Sequence, residues 1–302
     1  MSADRGSLGG PVLVTGANGF IGRHLCRRLA AAGEDVHAVV RATSSRGVAQ
    51  PPGVTLHRLQ DATAECAAVV DAVQPAVIFH LATHFAARHE PAEIARMVEA
   101  NVTFGTVVAD AAARGGARLV HATTAWQHYA GAEYSPVSLY AATKQSLSDV
   151  IRYFAEVEGL TADEVCLFDT YGPRDDRKKL VSLLIEHAAS GEPLPMSSGQ
   201  QLVDLTHVDD VVSALVRVAT GPALGARLVA RSGHPVTLRE LAALVERVSG
   251  RSIDTRWDAR PARPREMDTD WLVEGAATSW RPQVELTAGL AELWGERMGS
   301  SD

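Results

Sequence analysis

The stretch Pro11-Val-Leu-Val-Thr-Gly-Ala-Asn-Gly-Phe-Ile-Gly-Arg-His-Leu-Cys-Arg-Arg-Leu-Ala30 decides the fold of this chain. Its first five residues predict a short buried strand, and the apolar spacing after Gly22 predicts a helix. Between them, Gly16 permits a tight turn, Gly19 lets a ligand approach the backbone, and Gly22 lets the helix pack on the strand. Such a turn directs backbone N–H groups at a pyrophosphate. We therefore predict a dinucleotide site formed by Gly16, Asn18, Gly19, Phe20, Ile21 and Gly22.

Further apolar runs alternate with alanine-rich helical segments, and these runs lie at residues 35–41, 54–59, 76–81, 118–122 and 164–168. That alternation predicts an α/β fold of the Rossmann type, with a doubly wound parallel sheet and ligands at the carboxyl ends of the strands. Beyond residue 171 the pattern loosens into loops, proline turns and two helical segments, which predict a smaller C-terminal α/β lobe. We assign residues 10–170, with about 203–222, to the dinucleotide domain. The substrate lobe then comprises residues 171–202 and 223–298.

The end of the second predicted strand selects the dinucleotide. An NAD site places a carboxylate there for the ribose hydroxyls, whereas this chain has Val40 followed by Arg41 and Ser44. An arginine with hydroxyl donors suits the 2′-phosphate of NADP, so we predict NADP over NAD. Asp61, after the third strand, either accepts a hydrogen bond from the adenine amino group or caps the following helix.

Composition restricts the remaining classes of function. The 302 residues are 46% hydrophobic and 22% charged, which is enough for one large core with a smaller lobe. A net charge of −7 argues against binding to nucleic acid or to anionic membranes. Three scattered cysteines lack metal-ligand spacing, so we expect no metal site and a reducing cytoplasm. We also expect no signal peptide and no membrane span, because no run of 18 apolar residues occurs.

Tyr140 and Lys144 form the strongest catalytic signal. The chain has only three lysines among 29 basic residues, and of its five tyrosines only Tyr140 has a lysine four positions on. On a helix this spacing places both side chains on one face. An ammonium there is expected to lower the pKa of the phenol, which makes the tyrosine a proton donor and acceptor. Taken alone, an ordinary pair on a helix surface remains an equal alternative.

Together these residues resemble the extended short-chain dehydrogenase/reductase family, and in particular its nucleotide-sugar-modifying branch. The resemblance covers nearly the whole chain and is strongest in its ordered motifs. They are Thr15-Gly-Ala-Asn-Gly-Phe-Ile-Gly22, His80-Leu-Ala82, Asn101-Val102, His121-Ala-Thr-Thr124, Tyr140-x-x-x-Lys144, Tyr171-Gly-Pro173, His207-Val-Asp-Asp210, Arg263-Pro-Arg-Glu266 and Trp280-Arg-Pro282.

The resemblance implies a role for each matching position. Thr124, rather than its rival Thr123, would hydrogen-bond the reacting oxygen, Tyr140 would transfer the proton, and Lys144 would also hold the nicotinamide ribose. Further cofactor contacts are expected from Leu81, Ala82, Thr83 and Phe168. Substrate contacts are expected from Thr83, Trp126, Asp169, Thr170, Lys178, Lys179 and Arg263.

Departures from the family narrow the reaction. The segment between Thr124 and Tyr140 is shortened, and the usual Val-Tyr-Gly is replaced by Gln127-His-Tyr129. Family members that dehydrate sugars carry Asp-Glu directly after the catalytic threonine, whereas this chain has Ala125-Trp126, so we set dehydration aside. The family's Arg-Asp-Phe-Ile-His becomes Val203-Asp-Leu-Thr-His207, which removes a diphosphate-binding arginine. Arg177, Lys178, Lys179 and Arg263 are candidates to replace it.

These features predict NADPH-dependent reduction of the C4 keto group of a nucleoside-diphosphate 4-keto-6-deoxysugar, with dTDP as the expected carrier. An NAD-dependent nucleotide-sugar 4-epimerase is the first alternative, and a reductase of non-sugar carbonyls is another. A noncatalytic dinucleotide-binding sensor is the alternative outside enzymes, although such proteins typically lose the Tyr–Lys pair. The expected assembly is a homodimer.

Overall fold

The central element of the fold is a seven-stranded sheet in which every strand is parallel to its neighbours. The structure is a computed structural model that describes residues 8–43, 51–275 and 279–299. Along the chain its strands are β1 Val12–Thr15, β2 Val36–Arg41, β3 Val54–Leu59, β4 Val77–His80, β5 Arg118–Thr124, β6 Ala162–Leu167, β7 Asp169–Tyr171, β8 Leu194–Pro195, β9 Leu202–Val203, β10 Leu205–His207, β11 Arg227–Ala230, β12 Val236–Thr237 and β13 Thr255–Arg256. The order in the large sheet is β11-β6-β5-β4-β1-β2-β3, which is typical of doubly wound folds.

Helices cover both faces of this sheet. They are α1 Phe20–Ala31, α2 Ala62–Val73, α3 Ile94–Val98, α4 Phe104–Gly115, α5 Leu139–Val157, α6 Leu180–Ser190, α7 Val208–Thr220, α8 Leu238–Ser249 and α9 Leu286–Gly299. One core packs α1 and α7 on the sheet, and a second core packs α2, α4 and α5 on the opposite face. Because both faces are covered, the strands are almost continuously apolar, as the sequence predicted. The predicted fold class is confirmed.

A smaller lobe is built from α6, α8 and α9 with short paired strands. β10 pairs with β7 and β13 with β8 in parallel, while β12 pairs with β9 in antiparallel fashion. These elements enclose their own apolar core, which includes the fully buried Leu184, Leu241 and Leu290. The lobe joins the large sheet where β7 follows β6, so its loops lie beside the carboxyl ends of the parallel strands.

One segment lies on the other side of the expected domain boundary. Residues 223–298 were assigned to the substrate lobe, but β11 is the seventh strand of the large sheet and pairs with β6 from Arg227 to Ala230. Leu228 and Ala230 are buried in the same core as α7. The run comes after the segment in which loops and proline turns interrupt the alternation of strands and helices, so the sequence pattern did not predict that it joins the large sheet.

Two observations bear on the predictions from composition. Among the described residues, no helix is long and apolar enough to cross a membrane. The three cysteines, Cys26, Cys66 and Cys166, are buried and free, and burial raises the pKa of each thiol to about 12. These thiols therefore carry almost no thiolate at neutral pH and act as small apolar residues.

Candidate active site

The glycine turn has the shape of an anion-binding loop. Gly16 has φ +68°, and a Cβ there would lie 2.7 Å from the backbone nitrogen of Ala82. A Cβ on Gly22 would collide with the carbonyl oxygen of Gly16. Helix α1 begins after Gly19 without a side-chain cap, so the N–H groups of its first turn remain directed at the loop. The turn fits the pyrophosphate of a nicotinamide dinucleotide.

The segment after β4 lies directly against this turn. The Thr15 hydroxyl and His80 Nδ1 are 2.9 Å apart, and the same hydroxyl accepts a hydrogen bond of 3.3 Å from Ala82 N–H. Leu81 N–H donates to the Thr15 carbonyl. The structure therefore brings Leu81 and Ala82 to Gly16, where the sequence predicted cofactor contacts.

The end of β2 presents the residues that were predicted to choose the dinucleotide. Val40 is buried at 3% exposure, whereas Arg41 is exposed and pairs in register with Leu59. Asp61 caps α2, because its carboxylate accepts a 3.0 Å hydrogen bond from Ala64 N–H. Of the two roles considered for Asp61, the helix cap is the one the structure shows. Ser44 lies outside the described residues.

A hydrogen-bonded amide joins the segment after β4 to α5, the helix that carries Tyr140. The Thr83 hydroxyl donates to Asn101 Oδ1 at 2.9 Å. The buried Asn101 side chain also donates to the His84 carbonyl and to the Thr143 hydroxyl, each at 3.0 Å. Asn101 belongs to a π-helical turn, Glu99–Thr103, and such turns are frequent at functional sites. One amide thus fixes the segment after β4 against α5.

Thr123 and Thr124 end β5 on opposite faces of the sheet, because side chains alternate along a strand. Thr123 is 2% exposed and lies on the same face as the buried His121. Thr124 keeps partial exposure, and its oxygen accepts a 3.3 Å hydrogen bond from Trp126 N–H. Its own hydroxyl proton can then be donated to a substrate oxygen. The geometry favours Thr124 over Thr123 as the substrate-facing hydroxyl.

Lys144 is buried at 3% exposure on the α5 side of the sheet, near His80 and His121. Burial lowers the pKa of Lys144 to about 7, with Glu164 opposing the shift. Burial and the neighbouring ammonium together keep both imidazoles neutral, since the pKa of His80 falls to about 3. Lys144 thus titrates close to neutral pH.

The expected lowering of the Tyr140 pKa by Lys144 is wrong in direction. Burial raises the pKa of Tyr140 to about 12, and the opposing influences come from the Thr83 side chain and from Arg177. Desolvation of the phenolate outweighs the nearby positive charge. Tyr140 is therefore protonated throughout the neutral range, which suits a residue that gives a proton to a reacting oxygen.

A wall of aromatic and charged side chains borders Tyr140. The ring centroids of Phe85 and Trp126 lie 4.9 and 6.5 Å from that of Tyr140. Lys179 Nζ lies 3.7 Å from the centroid of Phe85, and the Arg263 guanidinium lies 5.7 Å from that of Trp126. Both contacts have the geometry of cation–π interactions. The wall places two cations and an apolar surface beside Tyr140.

Asp169 lies among the cations of this wall. Burial raises the pKa of its carboxyl, while Lys179 and Arg263 oppose that shift. Burial conversely lowers the pKa of Lys179, with Asp169 the leading opposing influence. The structure therefore brings together Trp126, Asp169, Lys179 and Arg263, four of the predicted substrate residues.

The other predicted substrate residues are placed differently. Lys178 is exposed and has a left-handed backbone, with φ +51°. Thr170 donates to the Phe168 carbonyl at 3.4 Å, and its own carbonyl accepts a bond of 2.8 Å from Arg177. The described hydrogen bonds of Thr170 are thus made with the Phe168 carbonyl and with Arg177. The exposed Lys178 is not one of the residues grouped around Asp169.

Two residues of the site were missed or underrated in the sequence. Phe85 belongs to no motif, yet it contacts Tyr140, Trp126 and Lys179. Arg177 was only one of several candidate cations, but its guanidinium lies 4.1 Å from the centroid of Phe20, at the start of α1. Arg177 is also paired with Asp175 at 2.7 Å. No periodic signal marks such loop residues, since their position depends on how the loop folds back.

A glycine turn and an uncapped helix, with Tyr140 and the buried Lys144 on α5, define the fold of a dinucleotide-dependent oxidoreductase. Residues 12–228 match the NAD dependent epimerase/dehydratase family. The match covers well over half of the chain, and the protein belongs to this family. The resemblance to extended short-chain dehydrogenases/reductases is confirmed at that level.

Individual relatives span several reactions. The chain is 28% identical to a UDP-glucose 4-epimerase of Mycolicibacterium smegmatis over 93% of this chain and 96% of that one. It is 23% identical to a CDP-abequose synthase of Salmonella typhimurium, again over 93% and 96%. A solved UDP-glucose 4-epimerase of Thermus thermophilus, in complex with NAD, superposes with a TM-score of 0.85 at 22% identity, covering 96% of this chain and 99% of that one. At that identity the superposition establishes the fold alone.

Proposed function

We propose that this protein reduces the C4 keto group of a nucleoside-diphosphate 4-keto-6-deoxysugar with NADPH, and that the nucleotide is dTDP. The observation that carries the proposal is the end of β2, where Val40 is buried and Arg41 is exposed. A ribose-binding carboxylate is missing at this position, and a cation suited to a 2′-phosphate follows it. Membership of the epimerase/dehydratase family supports a nucleotide sugar as the substrate.

The chain's own residues supply proton transfer and positioning. Bound NADPH supplies a hydride to the carbonyl carbon, and the site must stabilise the alkoxide that develops on O4. Tyr140 gives that oxygen its phenolic proton, which it holds until pH about 12. Thr124 donates a second hydrogen bond to the same oxygen. Lys144, held beneath the site on α5, contacts the nicotinamide ribose in its charged form.

The wall beside Tyr140 suits the remainder of this substrate. Lys179 and Arg263 provide cations for a diphosphate, in place of the arginine that Val203 replaces. Phe85 and Trp126 offer an apolar surface to a methyl group at C6. Ala125 and Trp126 cannot donate or remove protons from ring carbons, so dehydration lacks its acid and base at these positions.

The alternative function is an NAD-dependent nucleotide-sugar 4-epimerase, which the M. smegmatis relative favours. An epimerase must return the hydride to the opposite face of the keto sugar, so the intermediate has to turn within the site. Epimerases of this kind hold NAD tightly, so the absence of a ribose-binding carboxylate at Val40 counts against this alternative. A noncatalytic sensor is disfavoured because it has no use for a buried Lys144 beside Tyr140.

The two reactions are distinguished by their use of cofactor. With purified protein, NADPH and a dTDP-4-keto-6-deoxysugar, we expect stoichiometric loss of absorbance at the reduced nicotinamide band. Deuteride from labelled NADPH should appear at C4 of the product, as read by mass spectrometry and NMR. Protein that carries tightly held NAD and interconverts two nucleotide sugars without added cofactor would establish the epimerase instead.

Arg41 is expected to determine the cofactor preference. We predict that the protein binds NADPH at least tenfold more tightly than NADH, a difference of about 1.4 kcal/mol. The variant Arg41→Ala should lose most of that difference through weaker NADPH binding, with NADH affinity little changed. Titration of both cofactors by fluorescence or calorimetry measures it. Equal affinities in the wild-type protein would refute the NADP assignment.

The pH dependence should follow Lys144. As pH rises through about 7, the Lys144 ammonium is lost, while Tyr140 keeps its proton up to about 12. We expect kcat/KM for NADPH, which reports the free protein, to fall about tenfold per pH unit above this point. Because the arginine in Lys144→Arg stays charged, kcat/KM of this variant should not fall over the same pH range, whatever its absolute rate. A wild-type profile that is flat or rises from pH 6 to 9 would contradict this assignment.

The assembly and location remain proposals as well. We propose a homodimer in the cytoplasm, and equilibrium sedimentation of the purified protein tests the first of these.

A further inference from the structure

A glutamine occupies the core position just beyond the candidate catalytic threonine. Gln127 has no exposed surface. It stands where the family's usual Val-Tyr-Gly has its valine. A buried amide is unfavourable unless its donors and acceptors are paired. Gln127 is the third residue of a short helical turn, Ala125–Gln127, that directly follows β5. Its side chain therefore lies where Thr124 leaves the sheet.

Both ends of this amide are paired, and they join two elements of the site. Gln127 Oε1 accepts a 3.0 Å hydrogen bond from the backbone N–H of Thr124. Gln127 Nε2 donates to Gln145 Oε1 at 2.9 Å, and Gln145 Nε2 in turn donates to Asp149 at 3.2 Å. Gln145 follows Lys144 on α5. The chain of bonds thus runs from the end of β5 to the helix that carries Tyr140 and Lys144.

This link matters because Thr124 and Tyr140 reach the same substrate oxygen from different elements. Their separation depends on how the end of β5 sits against α5, and the segment that connects them is short. Strand pairing fixes Thr124 along the sheet, and an apolar core packs α5 on the body of β5. The Gln127 amide adds a hydrogen-bonded link between the carboxyl end of β5 and α5.

We infer that Gln127 is a positioning residue that fixes Thr124 relative to α5 through Gln145. The catalytic consequence rests on the proposed function, in which Thr124 donates a hydrogen bond to the reacting oxygen. Gln127 itself touches neither substrate nor cofactor. Loss of the amide is expected to misplace Thr124 and slow the chemical step, because small errors in position are costly in catalysis.

The link itself is tested by hydrogen exchange, which needs no substrate. In Gln127→Leu, which replaces the side-chain amide with an apolar group of similar size, exchange of the Thr124 backbone amide should accelerate at least tenfold. Gln145→Leu, on the partly exposed face of α5, keeps the Thr124 bond but frees the Gln127 amide, and should give a smaller increase. Gln145→Glu retains the acceptor oxygen for Gln127 Nε2 but loses the bond to Asp149, and should exchange more slowly than Gln145→Leu. Unchanged exchange at Thr124 in Gln127→Leu would overturn the inference.

Kinetics then tests the catalytic consequence. Gln127→Leu should lower kcat about tenfold while KM for both substrates stays within about twofold, and Gln145→Glu should restore most of the loss seen in Gln145→Leu. Faster exchange with an unchanged kcat would overturn the positioning role. If the wild-type protein reduces no 4-keto sugar, the proposed function fails, and exchange at Thr124 alone decides whether Gln127 fixes it.

Discussion

Replacement of Tyr140 with phenylalanine is expected to lower turnover by roughly two to four orders of magnitude while NADPH affinity is retained. The substitution keeps the ring, and so keeps its contacts with Phe85 and Trp126. It removes the hydroxyl that would protonate the alkoxide and that keeps its proton up to pH about 12. Single-turnover oxidation of NADPH and equilibrium titration of the cofactor separate the two effects.

Lys144→Met provides the comparison for that variant. Because Lys144 is proposed to hold the nicotinamide ribose and to support Tyr140, its loss should reduce turnover and NADPH affinity together. Thr143→Val, one position away, disturbs the bond from Asn101 without removing either catalytic group, and should have the smallest effect of the three. Near-normal turnover by Tyr140→Phe would show that the Tyr140 hydroxyl does not transfer the proton.

The sheet and its glycine turn were predictable because local and tertiary constraints coincide there. Each strand from β1 to β6 is an apolar run of four to seven residues bounded by polar or glycine-containing segments. The glycines are needed for backbone reasons, since a Cβ on Gly16 would lie against Ala82. β11 was not predicted as part of the large sheet because it follows the segment after residue 171, where loops and proline turns interrupt the alternation of strands and helices.

The site was predictable where motifs carry the chemistry, and unpredictable where loops determine it. Tyr140, Lys144 and Thr124 were identified from spacing and resemblance, and the structure places them at the same edge of the sheet. Phe85 gave no signal of function because it lies in a loop outside any motif. Gln127 was noted only as a departure from the family's Val-Tyr-Gly, and that departure did not predict its role. Their roles arise from contacts between segments distant in the chain.

The pKa of Tyr140 is a property of the site that the sequence pattern could not predict. Spacing alone indicated that Lys144 would acidify the phenol, which is an argument about charge. The structure adds desolvation, which raises the pKa of Tyr140 and lowers that of Lys144. Burial depends on everything that packs around the pair, so no local pattern predicts it. At neutral pH the Tyr140 hydroxyl therefore keeps its proton and can donate it.

The adjacent residues Lys178 and Lys179 test whether the wall beside Tyr140 binds the diphosphate of the substrate. Lys179→Met is expected to raise KM for the nucleotide sugar about a hundredfold, because Lys179 lies in the wall beside Asp169 and Phe85 and would pair with the diphosphate. Lys178→Met removes the same charge from the neighbouring residue, which is exposed, and should change KM by less than about twofold. The two variants have equal net charge, so long-range attraction of the anionic substrate is matched.

Initial rates at saturating NADPH measure both variants, and turnover at saturating sugar should stay within about threefold of the wild type. Lys179→Met leaves Asp169 with one fewer cation, so thermal unfolding and NADPH titration must accompany the kinetics. Unchanged NADPH affinity would confine the effect to the sugar nucleotide. An equal or larger rise in KM for Lys178→Met would place the diphosphate outside the wall, at the exposed part of the loop. In that case the aromatic wall would bind the sugar ring alone, because Phe85 and Trp126 would keep their contacts with Tyr140.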